Sequence, residues 1–376
     1  MTKLGNKDKD TVTGFEGIVV SKEKKSIKKK EFSILDLKKK VETVTAYKED
    51  KYIPFSFALK DALRMEGIPM GFIHQIIGHS NTGKSTMLAE LAISAQKQNI
   101  LPCFFITENK FSWDHLLMMG FDRGNPVEQD VNGNPIYDGF FIYKDGFESL
   151  ETLFLEMNKI LDLQEKGEIP FDLLLVVDSF GSISSKMGNE VNEDGILKGG
   201  GMRDALTYSA HLKSLKTRIG MSRKIDKPFT NTLLAINQSY LTMPASPMEK
   251  PKLVPRGGES LTYSSTYIFR CGGILNAGIT KETCIVLGKK IVIGYITKIG
   301  IEKNHETIIN VESEKVFLCP HGFMVFNKEE IERYKNKMRP TWEKRLKEME
   351  NNEEELDVDK ETGEILNINQ PIKAEL

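Results

Sequence analysis

The sequence predicts an α/β fold: a mostly parallel central sheet with helices on both faces, an antiparallel extension after about residue 264, and a charged helical segment near the C-terminal end. Three observations predict it. GHSNTGKS (Gly78 to Ser85) has the spacing G-x-x-x-x-G-K-[ST] and stands between an apolar run of strand length, FIHQIIG, and a helical period that carries Met87, Leu88, Leu91 and Ala95. Further apolar runs, LPCFFIT, DLLLVVDS and NTLLAINQ, alternate with amphipathic helices, as in a parallel sheet buried on both faces. After Ser264, TYIFRCGG, CIVLGKKIVIGYITKIGIEK and TIINVE follow one another with few helices between them, the habit of antiparallel strands.

Residues 1–30 are polar and lysine-rich and read as a disordered basic segment. Residues 31–52 read as a helix and linker, with Ile34, Leu35 and Val41 on one side of EFSILDLKKKVETV. Residues 53–326 hold the strand–helix alternation and form the expected core. Its helices are placed around Ser112 to Met119, over Glu148 to Lys166, where Leu150, Leu153, Phe154, Met157, Ile160 and Leu161 make one apolar face, and over Ala205 to Ile219. Residues 327–376 read as a charged helix broken at Pro340, then an acidic disordered tail.

Lys plus Arg number 52 and Asp plus Glu 53 among 376 residues, so the net charge selects no partner, but its distribution is uneven. Lys22 to Lys40 holds nine lysines against three acids, and Glu348 to Glu364 nine acids against one lysine. Such blocks suit a polyanion partner, mutual screening of the two ends, or simple solvation. The four cysteines, Cys103, Cys271, Cys284 and Cys319, show neither zinc-ligand spacing nor a disulfide framework. No apolar run reaches the ~20 residues of a membrane span, and MTKLGNKDKD lacks an apolar signal core. A cytoplasmic location is expected, the host cytoplasm if the chain is phage-encoded.

The glycine-rich loop is the strongest chemical signal. Its backbone N–H groups, from Gly78, His79, Ser80, Asn81, Thr82 and Gly83, suit phosphate oxygens, with Lys84 for the outer phosphates and the Ser85 hydroxyl for Mg²⁺. A helix N-terminus behind the loop adds its positive dipole end. Asp178 ends an apolar strand, where open α/β sheets bind ligands, and suits the Mg²⁺ hydration shell. Glu108, at the end of PCFFITE, suits a base that orients water for attack on the γ-phosphate, a vote for an ATP-hydrolysing motor. Gln238 ends a third apolar strand and sits at the root of Ser239 to Ser260, a long stretch with four prolines, Arg256 and the Gly257-Gly258 pair. An earlier long stretch, Ile183 to Arg203, carries Gly199, Gly200 and Gly201. Two such loops on the nucleotide edge of one sheet suit an extended partner such as single-stranded nucleic acid.

From Ile53 to Leu318 the chain resembles the RecA-type recombinases, most closely the phage UvsX-like branch. The motifs that carry the resemblance are GHSNTGKST, ITENKFSWDHLLMMGFD, LLLVVDS, GMRDALTYSAHLKSLK, LLAINQ, GGESLTYSSTYIFR and IEKNH, in that order. The resemblance implies a RecA-like ATPase core that uses ATP and Mg²⁺. Lys84, Ser85 and Thr86 would hold phosphates and Mg²⁺, Glu108 would be the catalytic glutamate, and Gln238 would couple ATP to the DNA-binding loop. Arg203, Ser209 and Lys213 would flank the first DNA loop, and residues 239–258, with Arg256, Gly257 and Gly258, would form the second. Lys303 and His305 would reach the nucleotide of a neighbouring subunit, with histidine where bacterial relatives carry lysine. His115 falls where relatives stack a ring on adenine, with Trp113 nearby. The N-terminal segment is a candidate for docking on an adjacent subunit, and the acidic tail resembles tails that restrain duplex binding.

The expected activity is single-stranded-DNA-dependent ATP hydrolysis by a homo-oligomer, a helical filament, that promotes homologous pairing and strand exchange with duplex DNA in recombination, repair and recombination-dependent replication. A single-strand-binding protein and a loader are its expected helpers. Two alternatives stay open: a hexameric DNA helicase on the same core, and a non-catalytic recombination mediator.

Overall fold

The computed structural model describes residues 46–108, 111–130, 133–186, 200–241, 253–255, 259–273, 278–305, 312–351, 357–359 and 361–369, all within one compact unit, Ala46–Leu376. Both N-terminal readings lie outside the described residues up to Thr45.

In chain order, β1 (Tyr52–Pro54) and β2 (Gly67–Pro69) pair antiparallel on either side of α1 (Phe57–Leu63). Then come β3 (Ile73–Gly78), α2 (Lys84–Lys97), β4 (Ile100–Ile106) and α3 (Trp113–Met118). An antiparallel pair, β5 (Pro126–Gln129) with β6 (Pro135–Tyr137), precedes β7 (Ile142–Lys144) and α4 (Leu150–Glu165). β8 (Asp172–Asp178), a 3₁₀ turn (Phe180–Ser182), α5 (Gly200–Met221) and β9 (Asn231–Leu241) follow. The rest is β10 (Leu253–Pro255), α6 (Glu259–Ser264), β11 (Tyr267–Cys271), β12 (Thr280–Val286), β13 (Lys289–Asn304), β14 (Glu314–Cys319), β15 (Gly322–Val325) and α7 (Lys328–Asn351).

The main sheet has the order β15-β14-β13-β11-β3-β9-β8-β4-β7, with β10 beside β9 and β12 beside β13. Pairing from β11 through β7 is parallel, and β13, β14, β15 and β12 add antiparallel strands. β4 and β8 are almost wholly apolar, and β9 is apolar at its centre, because alternate residues feed two cores. Phe104, Leu174, Val176, Leu234 and Ile236 join the core with α1 and α2. Phe105, Leu173, Leu175, Val177, Leu233 and Ala235 join the core with α4 and α5. A capping box between Ser149 and Thr152 fixes the start of α4.

Several expectations need correction. The antiparallel extension begins one strand later than the sequence suggests, because β11 runs parallel to β3 and only then pairs antiparallel with β13. TIINVE lies almost wholly outside the described residues. The stretch from Ile183 ends earlier than expected, since α5 already begins at Gly200. The Asp204 carboxylate accepts hydrogen bonds from the Ser185 N–H and hydroxyl at 2.7 Å each, which ties this helix start back to the strand side. Ser239 to Leu241 continue β9 and pair with β10, so the second long stretch carries β-structure at its start and within it, and its end, Glu259 and Ser260, already belongs to α6.

The C-terminal part departs most from the reading. Helix α7 runs unbroken through Pro340. Ile331, Tyr334, Trp342, Leu346 and Met349 form one apolar stripe on both sides of the proline, packed against Val286, Ile291, Ile293 and Phe317. That packing holds the helix across a residue that costs about 3 kcal/mol in a helix interior. The described part of the acidic end is no free tail. Ile365 bridges Ile291 and Val358, Ile365 and Ile368 are buried, and Lys281 and Lys290 grip Asp359 and Glu364. Lys289 likewise pairs with Glu350. No helix among the described residues is long and apolar enough to cross a membrane.

Candidate functional site

Parallel register brings the chemistry to one edge. Gly78 pairs with Gln238 and with Cys271, and Ile106 pairs with Asp178, so these strand ends lie level, with Glu108 two residues beyond β4. The backbone demands glycine twice. Gly78 has φ +147, and a Cβ there would stand 2.0 Å from the Cys271 carbonyl oxygen. Gly83, the residue before α2, has φ +99, and a Cβ would meet the Phe323 ring at 2.7 Å.

The loop's side chains fold inward. The Lys84 ammonium donates to the His79 carbonyl at 2.6 Å, and the Thr82 hydroxyl to the same oxygen at 2.8 Å. Burial pulls the Lys84 ammonium below its usual range, opposed by the charges of Asp178 and Glu108. The Ser85 hydroxyl donates to Asp178 Oδ2 at 3.5 Å. Burial and the nearby Glu108 carboxylate push Asp178 up to about 6, against Lys84 and Ser85.

Glu108 is held from two directions. Its Oε1 accepts from the Ser179 hydroxyl at 2.6 Å and from the Gln238 amide at 3.0 Å. Thr107 braces Ser179, donating to its carbonyl at 2.6 Å and accepting from its N–H at 2.9 Å. A cavity of about 490 Å³ gathers His79, Lys84, Ser85, Glu108, Asp178 and Gln238 in its lining. Such a place suits a polyphosphate: a glycine-bearing loop at a helix N-terminus, one ammonium, and a hydroxyl beside a carboxylate. The fit to Mg²⁺ rests on that last pair. No group of three or more His, Cys, Asp or Glu side chains forms a cage for a metal among the described residues. Ser85 and Asp178 are the sparse oxygen donors that suit a cation that keeps most of its water.

A second cavity, of about 540 Å³, lies beside the first and shares Asn81, Lys84 and Ser85 with it. Thr86, His115, Met118, Tyr295, Pro320 and Leu366 are among its walls. The His115 Nε2 lies 3.4 Å from the Thr86 hydroxyl. Burial, then His321, lowers the His115 pKa. His115, not Trp113, thus faces this cavity, together with Tyr295. Trp113 is committed to an aromatic cluster with Phe104, Phe111, Phe121, Phe141 and Tyr143.

Other expected residues are not brought here. Lys303 pairs across β11 with Ile268, towards the opposite end of that strand from Cys271. Its ammonium donates to the carbonyls of Thr262 at 2.7 Å and Ser265 at 2.8 Å, at the end of α6, and burial lowers its pKa. His305 follows β13 and is exposed. Within one chain, then, neither residue joins the cavity of Lys84. On α5, Tyr208, Leu212, Leu215 and Ile219 are buried, Ser209 is half-buried and Lys213 is exposed. Arg203 has its backbone in α5 with its side chain outside the described residues, as are Arg256, Gly257 and Gly258 altogether.

Sequence reasoning passed over Ser179 and Thr107, although each adjoins a residue it had singled out. It also missed Pro320 and Leu366, which come to the loop from more than two hundred residues away with no local signal. Neither the family models nor the curated proteins compared with this chain yield a match.

Proposed function

We propose that the chain is an ATP-dependent DNA recombinase of the RecA type, which assembles on single-stranded DNA and promotes pairing and strand exchange with a homologous duplex. The observation that carries the reading is the bond from Gln238 to Glu108. Glu108 lines the same cavity as Lys84 and Asp178, and Gln238 belongs to the strand that leads into the long stretch after Leu241. A hydrolytic base is thus tied to the root of a segment suited to an extended polyanion. A simple phosphotransferase has no use for such a tie.

In this reading the Gly78–Gly83 amides and Lys84 bind and orient the triphosphate. Ser85 and Asp178 hold Mg²⁺, which supplies charge neutralisation at the phosphates. Glu108 orients a water and takes its proton, with Ser179 and Gln238 fixing the carboxylate. Gln238 shifts its amide when the following segment engages DNA, and so alters how Glu108 is held. Lys213 and Ser209 on α5, with Arg203, Arg256, Gly257 and Gly258, contribute contacts to the strand.

The test is ATP hydrolysis with no DNA, single-stranded DNA or duplex, over a range of salt. Single strands should stimulate turnover well above duplex, and the binding constant should fall steeply with salt as phosphate contacts release counterions. Equal turnover with and without DNA would remove the recombinase reading and leave an ordinary ATPase.

A further inference from the structure

The described part of the acidic C-terminal end lines a cavity through Leu366 and Asn369. Ile365 runs beside Ile291 of β13: the Ile365 N–H donates to the Lys290 carbonyl at 2.8 Å, and the Val292 N–H donates to the Ile365 carbonyl at 2.9 Å. Asn369 anchors the far end. Its Oδ1 accepts from the Trp342 indole at 2.9 Å and its Nδ2 donates to the Val292 carbonyl at 3.2 Å. Ile365 and Ile368 point into the core with Trp342 and Leu346. Glu364 is gripped by Lys281 and Lys290 and held below the usual carboxylate range, chiefly by Lys290. Leu366 has a different role. It is half-buried, its N–H donates to the Asp357 carbonyl at 2.8 Å, and it lines the 540 Å³ cavity with His115, Met118, Tyr295 and Pro320. That cavity shares Asn81, Lys84 and Ser85 with the phosphate-suited one, and Met118, Pro320 and Leu366 give it an apolar side.

We propose that residues 357–359 and 361–369 form a wall of the base pocket, with Leu366 contacting the heterocyclic ring of a nucleotide whose phosphates lie on the Gly78–Ser85 loop. This rests on the reading of that loop as a triphosphate site. A half-buried leucine on the apolar side of that cavity contributes by area alone, so its effect on affinity is modest and specific to the base. Ile365 and Glu364 position the wall from outside the cavity, and Asn369, which also lines it, anchors its far end.

The full-length chain is titrated with Mg²⁺·ATP and, separately, with Mg²⁺·tripolyphosphate, which has phosphates and no base. Leu366→Ala should weaken ATP binding by about fivefold to twentyfold and leave tripolyphosphate binding unchanged. An unchanged ATP affinity, or an equal loss for both ligands, overturns the proposal. If the parent protein binds neither ligand, the loop reading itself has failed, a result distinct from a failure of the wall. Hydrogen exchange of the unsubstituted protein gives a second readout independent of the variant's folding. Saturating ATP should slow exchange in residues 361–369 and saturating tripolyphosphate should not. Equal protection by both, or protection by neither, overturns the wall.

Discussion

Glu108 accepts two hydrogen bonds on one oxygen, from Ser179 and from Gln238, so one carboxylate is both positioned and linked to β9. Glu108→Gln keeps the size of the side chain and removes the base. It should bind ATP and DNA yet hydrolyse at least about 10²-fold more slowly, the scale of a lost general base. Single-turnover hydrolysis checks this, and near-parent turnover would make Glu108 a structural acid. Asp178 carries a cost that can be read as stability. Its folded-state pKa rises from 3.8 to about 6, so between those values the folded chain holds a proton that the unfolded chain has lost. Stability therefore falls as pH rises through that window, and the full cost persists above it. Asp178→Asn should make the metal-free protein more stable at pH 8, by about 1–3 kcal/mol, and the gain should vanish towards pH 4. Denaturant melts at the two pH values test it, and a gain of the same size at both would place the effect elsewhere. Glu108, Asp178 and Lys84 were legible in the sequence because each follows an apolar run or a glycine pattern. Ser179 was not, because a serine after a strand carries no signal until its partner is seen 2.6 Å away.

At the scale of elements, legibility followed burial. β4 and β8 bury both faces, so they read as continuous apolar runs and were found nearly to the residue, whereas β9 was found at its start and runs three residues beyond the expected end. The exposed pair β5 and β6 has neither an apolar run nor a turn pattern that stands out, and it went unseen. At Pro340 and in the acidic end, local rules lost to packing. The proline rule is sound for an isolated helix, but the apolar stripe of α7 continues across it. Charge counting in the last thirty or so residues hid Ile365 and Ile368, whose burial holds the segment down. The helix supplies its own test. Pro340→Ala restores the missing N–H in a helix already held continuous by its packing, so it should stabilise the protein by about 1–3 kcal/mol. A shift in the denaturant midpoint at constant m-value would show it, and a loss of stability would mean that the proline fixes a bend the packing requires. Truncation before residue 357 is a poor test of the acid charge, since it also removes the partner of Trp342 and two core isoleucines.

For the whole molecule, the informative feature is what one chain leaves out. Lys303 sits towards the far end of β11 from the strand end beside Gly78 and caps the carbonyls that end α6, so it cannot complete the cavity of its own Lys84. In the proposed assembly it acts on a neighbour's nucleotide through a head-to-tail interface. Lys303→Ala should then lose DNA-stimulated hydrolysis, and an equal mixture with Lys84→Ala should recover it at the roughly one-quarter of interfaces where intact loop meets intact lysine. No recovery beyond the sum of the two variants would confine Lys303 to its role beneath α6. The interface was suggested by the family resemblance, and the register of β11 and β13 shows only that Lys303 lies away from the Lys84 of its own chain. The most direct test is electron microscopy of the unsubstituted protein with Mg²⁺·ATP and single-stranded DNA. The account predicts helical filaments along the strand that shorten or disappear when ATP is omitted, whereas closed rings, or scattered single particles under the same conditions, would contradict it.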